Sequence, residues 1–137
     1  MSRHALILAL AIAATLCVSG AATAAPPEGS LQLTAVGAGD MQTGPTSFTF
    51  TERVYQRGQL VGSDRGVCSF FGRFENPRCR ITLSLPQGKL FLLLRLTPDP
   101  RGHFKVTSGT GAYRGKTGVG IYRFIGTDST RIVIWLT

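Results

Sequence analysis

Phe48-Thr49-Phe50-Thr51-Glu52-Arg53-Val54-Tyr55 divides cleanly by parity. Phe48, Phe50, Glu52 and Val54 fall on one side of an extended chain, and Thr49, Thr51, Arg53 and Tyr55 on the other. Successive side chains of a strand point to opposite faces, so the pattern predicts a strand with one apolar face. Working outward, Arg57-Gly58 turns the chain, and a second extended run starts at Leu60-Val61 and continues through residues 67–74. Upstream, residues 31–36 alternate until Gly37-Ala38-Gly39-Asp40 breaks the pattern. Downstream, residues 78–85, 89–96, 104–107, 119–125 and 131–136 read as strands. Pro86-Gln87-Gly88, Pro98-Asp99-Pro100-Arg101-Gly102 and Gly126-Thr127-Asp128-Ser129 separate several of them as turns or loops. The result is about eight strands and no helix after residue 24.

The composition agrees. Hydrophobic residues make up 43% of the 137 and charged residues 16%, which excludes a disordered chain or a coiled coil. Residues 1–24 read as a secretory signal peptide. Arg3 and His4 make a short basic start, residues 5–18 are apolar, and Ala22-Thr23-Ala24 supplies the small residues that signal peptidase needs. The expected cut follows Ala24, with Ala25 as the alternative. The apolar run is shorter than the roughly 20 residues of a membrane span. Ala14-Thr15-Leu16 before Cys17 does not fit a lipidation site. The mature protein is expected to be secreted, without a membrane span. Residues 25–46 form a leader and first strand, and residues 47–137 the remainder of one domain.

Removing residues 1–24 leaves 113 residues with a formal charge of +7, down from +8. It also leaves Cys68 and Cys79 as the only cysteines. They flank the turn dipeptide Asn76-Pro77, and export places them in an oxidising compartment. A disulfide across a hairpin is therefore expected, two separately buried thiols being the alternative.

Eight antiparallel strands in a chain this short make a sandwich or a closed barrel. Residues 90–94 and 132–136 are apolar on both parities, as in strands covered on both faces. A barrel whose outer wall meets another subunit satisfies this, and so does a sandwich centre wrapped by loops.

Familiar catalytic motifs are absent. Gly111-Ala112-Tyr113-Arg114-Gly115-Lys116-Thr117 has three residues between its glycines, where a phosphate loop has four, and no helix follows. Gly109-Thr110-Gly111 lacks the third glycine of a dinucleotide fingerprint. With one histidine in the mature chain, His103, neither a hydrolase triad nor a His/Cys metal site is expected. No cofactor is expected either.

Phe104-Lys105-Val106-Thr107-Ser108-Gly109-Thr110-Gly111-Ala112-Tyr113-Arg114-Gly115 resembles the glycine-rich signature of the allene oxide cyclase and dirigent superfamily. Phe50-Thr51-Glu52-Arg53-Val54-Tyr55 and Val61-Gly62-Ser63-Asp64-Arg65-Gly66-Val67-Cys68 resemble the second and third strands of the cyclases. The likeness runs from about Phe48 to Thr137 and is greatest to small exported bacterial members. It implies an all-β, eight-stranded antiparallel barrel with an apolar cavity, often a trimer, in which an isomerase of the intramolecular cyclase kind steers ring closure. Ser108 stands where the superfamily usually has a further glycine. The cyclases carry a glutamate on the first strand, where Leu31-Gln32-Leu33-Thr34-Ala35 has no acid, and an asparagine where Glu52 stands here. Cys68 matches the third-strand cysteine, but a disulfide to Cys79 removes its free thiol.

Glu52 is therefore the candidate catalytic residue. Its parity places it among Phe48, Phe50 and Val54, where desolvation raises a carboxyl pKa and fits it for acid–base work. Pairing with Arg53, Arg65 or another arginine at the rim is the alternative. Phe48, Phe50, Val54, Tyr113 and Tyr122 are the candidate ligand-binding residues, and Gly109 with Gly111 reads as a backbone corner. The ligand class is a small apolar molecule, whose cyclisation or isomerisation the barrel guides. The alternative function is a non-enzymatic basic module for anionic polysaccharide or lipid headgroups. No nucleic acid is expected as partner, because the basic residues from Arg53 to Arg123 are scattered, apart from Arg73, Arg78 and Arg80.

Overall fold

The computed structural model describes residues 29–37, 41–72 and 75–137. The expected signal peptide and its cut lie outside the described residues. Nine strands follow one another: β1 (Ser30–Gly37), β2 (Gln42–Thr43), β3 (Ser47–Gln56), β4 (Gln59–Ser69), β5 (Arg78–Leu85), β6 (Gly88–Arg95), β7 (Arg101–Gly109), β8 (Gly118–Phe124) and β9 (Ser129–Leu136). From β3 to β9 each strand pairs antiparallel with the next. β1 pairs with β9 on one edge and with β3 on the other, which closes the sheet into an eight-stranded barrel. β2 adds two residues to the end of β3 that β1 does not reach. Closure decides between sandwich and barrel, and it removes the free edges on which such apolar strands aggregate.

Two strands differ in length from the sequence reading. β4 stops at Ser69, leaving Phe70 and Phe71 outside the ladder and exposed, with the Phe70 N–H bonded to Thr46 O at 2.9 Å. β7 is longer than residues 104–107, because Arg101 to His103 find backbone partners on β8.

Each strand turns one parity inward. Leu31, Val54, Leu90, Val106 and Ile134 fill the barrel toward the end where β3 turns into β4 and β5 into β6. A 3-10 turn, Gly111–Tyr113, folds beneath that end and inserts Tyr113, which is fully buried. The glycine-rich segment is thus a closure of the barrel. Gly111 has φ +60°, and its backbone lies so close to Gln87 that a side chain would collide there. Ala112 N–H donates to Gln87 O at 2.9 Å, and Thr110 N–H to Lys89 O at 2.8 Å. The opposite end carries the connections after β1, β4, β6 and β8, and the side-chain filling stops short of it.

The outer wall is apolar along one stripe. Leu93, Val119, Ile121 and Trp135 are exposed, with Leu93, Lys105, Val119 and Trp135 forming one cross-strand row. The apolar outward parity of β6 and β9 is therefore uncovered within a single chain.

Candidate carboxyl-pair cavity

A cavity of about 600 Å³ occupies the unfilled half of the barrel. Protein interiors pack to crystal density, so this volume is not a packing defect; it falls in the range of small-molecule sites. Its wall is built from Phe48 and Phe50 of β3, Ile81 and Leu83 of β5, Leu92 and Leu94 of β6, Phe104 and Tyr122. Met41, Phe124, Thr127 and Asp128 surround its open end.

Three glycines shape this wall. Gly66 lies opposite Phe50, Gly120 opposite Phe104 and Gly102 opposite Tyr122 in the strand registers. In each case a Cβ on the glycine would run into the facing ring. The rings therefore lie flat over bare backbone instead of projecting into the lumen, which keeps the cavity open.

Polar side chains of the lining include Thr51, Thr130 and Tyr122, and among them two carboxyls stand together. Glu52 on β3 and Asp64 on β4 are directly opposed in register and both line the cavity. They lie within hydrogen-bonding reach of each other, yet Asp64 Oδ1 has no donor among the described residues. Burial, then the Glu52 charge, push the Asp64 carboxyl up to about 8. Burial also raises Glu52, with the contact to Asp64 pulling the other way. Both carboxyls therefore hold their protons more firmly than they would in water, the deeper Asp64 above all. The arginine partner considered for Glu52 is not found: among the described residues the single ion pair joins Arg101 to Asp99.

Asp64 is the site residue that the parity reading missed. The β3–β4 hairpin pairs Tyr55 with Leu60 but Val54 with Gly62, a one-residue bulge that leaves Val61 over. Without it Glu52 would face Ser63; with it Asp64 turns inward.

Of the candidate ligand residues, Phe48, Phe50 and Tyr122 line the cavity. The Tyr122 hydroxyl approaches Thr97 but makes no well-formed hydrogen bond among the described residues, and burial raises its pKa. Val54 is buried below the cavity, and Tyr113 plugs the closed end, its hydroxyl donating to Gln87 Oε1 at 3.3 Å. Tyr113 thus lies far from a cavity mouth, because the positive φ at Gly111 folds it under the barrel. Cys68 and Cys79 form a disulfide between opposed residues of β4 and β5, with Cα atoms 4.0 Å apart, and Cys79 lines the cavity. Among the described residues no group of three His, Cys, Asp or Glu side chains gathers that could hold a metal ion. Nor is any helix among them long and apolar enough to cross a membrane.

These features define a closed antiparallel barrel with a cavity open at one end, and solved structures share that architecture. The chain is similar to pyocyanin demethylase, with a TM-score of 0.67 and 22% identity over 79% of this chain and 99% of that one. It is also similar to two pterocarpan synthase dirigent proteins. One has a TM-score of 0.65 and 17% identity over 79% of this chain and 86% of its own. The other has a TM-score of 0.61 and 14% identity over 79% of this chain and 93% of its own. The fold is that of the dirigent-like barrels. No protein-family model matches the chain, and no curated protein matches it in sequence.

Proposed function

We propose that this is a secreted barrel that takes a small apolar molecule into its cavity and moves a proton on it, guiding an isomerisation or cyclisation. The observation that carries this reading is the opposed Glu52–Asp64 pair inside a largely apolar cavity. Sharing one proton, such a pair would offer an acid and a base a short distance apart: Glu52 accepts a proton from one atom of the ligand, and Asp64 returns one to another. The ligand leaves with the same atoms and electrons, so the step needs no cofactor. The apolar wall supplies binding and excludes water, which strengthens the electrostatics of the pair.

The stripe of Leu93, Val119, Ile121 and Trp135 supports a homo-oligomer, a trimer by the resemblance noted from the sequence. The disulfide supports export, since such bonds persist in oxidising compartments.

Binding is tested with N-phenyl-1-naphthylamine, a neutral dye that brightens in apolar surroundings. The wild type should take it up saturably, and Leu92→Trp, which fills the lumen from its wall, should abolish the signal while the fold persists. Equal dye uptake by that variant would place binding outside the cavity and overturn the reading.

A further inference from the structure

Five exposed large apolar side chains, Met41, Phe70, Phe71, Phe124 and Ile125, all lie at the open end of the barrel. Each belongs to or borders a connection there: Met41 follows β1, Phe70 and Phe71 follow β4, and Phe124 and Ile125 close β8. Phe48 reaches the Phe70 ring at 5.8 Å, and the Arg78 guanidinium sits over Phe71, 5.2 Å from its centroid. Burial of an aromatic side chain is worth a few kcal/mol, so one such residue at a loop tip is ordinary but a cluster around one opening is not.

Just behind this tip the outer wall carries arginines in rows. Arg101, Arg123 and Arg131 are directly opposed across β7, β8 and β9, and Arg78 is opposed to Arg95 across β5 and β6. All five are exposed and point away from the lumen, because their strand neighbours Gly102, Tyr122, Ile132, Cys79 and Leu94 face inward. Like charges facing each other across a ladder destabilise a sheet. The acids of the same end, among the described residues, are Glu75, Asp99 and Asp128, and only Asp99 approaches an arginine, Arg101, at 4.0 Å. Folding alone gives no reason for this arrangement.

We propose that the open end of the barrel docks on an anionic lipid bilayer, the apolar tip entering the interface while the arginine rows contact lipid phosphates. An apolar tip ahead of a cationic collar matches the layering of a bilayer surface, with hydrocarbon below and phosphate above. A polysaccharide would use the arginines but leave the apolar tip in water. The proposal stands apart from the proton-transfer reading, because every residue it uses is at the rim or on the outer wall, and it brings the cavity mouth to the surface where apolar molecules are stored.

Flotation with phosphatidylcholine vesicles, with and without phosphatidylglycerol, tests it. The protein should float with the mixed vesicles, less so as salt rises, and not with phosphatidylcholine alone. Arg101→Gln/Arg123→Gln/Arg131→Gln should lower the affinity about a hundredfold, from a factor of roughly five for each arginine near the surface. Phe71→Ser/Ile125→Ser should also abolish flotation, whereas Lys89→Glu/Arg114→Glu at the closed end should leave it unchanged. Circular dichroism shows each variant folded before use. Equal loss in the closed-end variant reduces the effect to net charge and overturns the proposal. Retention of full binding by the serine variant overturns the insertion, and binding to dextran sulfate without any flotation assigns the arginines to a polysaccharide instead.

Discussion

Asp64→Asn separates a buried proton from an ordinary surface acid. In the unfolded chain Asp64 releases its proton near 3.8, and in the folded barrel near 8. Between these values the folded state keeps a proton that the unfolded chain has lost, so the stability of the wild type falls as pH rises. The loss is about 1.4 kcal/mol per pH unit, or roughly 4 kcal/mol between about pH 4 and 7, and it flattens above about 8. Glu52 shifts in the same direction and adds to it. Asparagine has nearly the same shape and never ionises, and its amide can donate to Glu52. The variant should therefore match the wild type to within about 1 kcal/mol near pH 4 and exceed it by several kcal/mol at pH 8. Urea unfolding with the disulfide intact, at unit pH intervals and with m-values compared, measures this. Parallel stability curves for the two proteins over that range would refute the buried pair.

Cys68→Ala/Cys79→Ala should lower stability by about 3 kcal/mol, since the bond closes a loop between residues 11 apart in sequence; unchanged urea midpoints would contradict this. Gly66→Ala should push the Phe50 ring into the lumen, costing about 1–3 kcal/mol of stability and weakening dye binding about tenfold. Dye titration equal to the wild type would show that the ring has room elsewhere. Trp135→Glu places a charge in the apolar stripe and should leave the chain monomeric by light scattering after gel filtration, where the wild type is expected to assemble. A monomeric wild type at micromolar concentration would remove the oligomer from the account.

The strands were legible because alternation is a property of short windows: each strand announces its own apolar parity, and Phe48, Phe50 and Glu52 needed nothing else to be placed inward. Closure was legible only through the family resemblance, since alternation suits a sandwich equally and pairing of β1 with both β9 and β3 depends on shear and twist accumulated around the whole sheet. The partner of Glu52 stayed hidden for a related reason. Asp64 alternates with its neighbours either way, and only the bulge at Val54/Tyr55 decides which residue it opposes. The place of Tyr113 was not legible, because the sequence shows that Gly111 bends the chain but not to which end of the barrel. The three ring-over-glycine pairs were equally silent, as each joins residues of different strands.

Native mass spectrometry of the protein purified from its own source, followed by incubation of the extracted compound with fresh protein in deuterium oxide, decides whether the carboxyl pair moves a proton on a bound molecule. The expected result is a bound mass of a few hundred daltons, absent from Leu92→Trp, that gains carbon-bound deuterium with the wild type and not with Glu52→Gln. A chain that carries nothing when freshly isolated, or a compound that gains deuterium equally with Glu52→Gln, would contradict it.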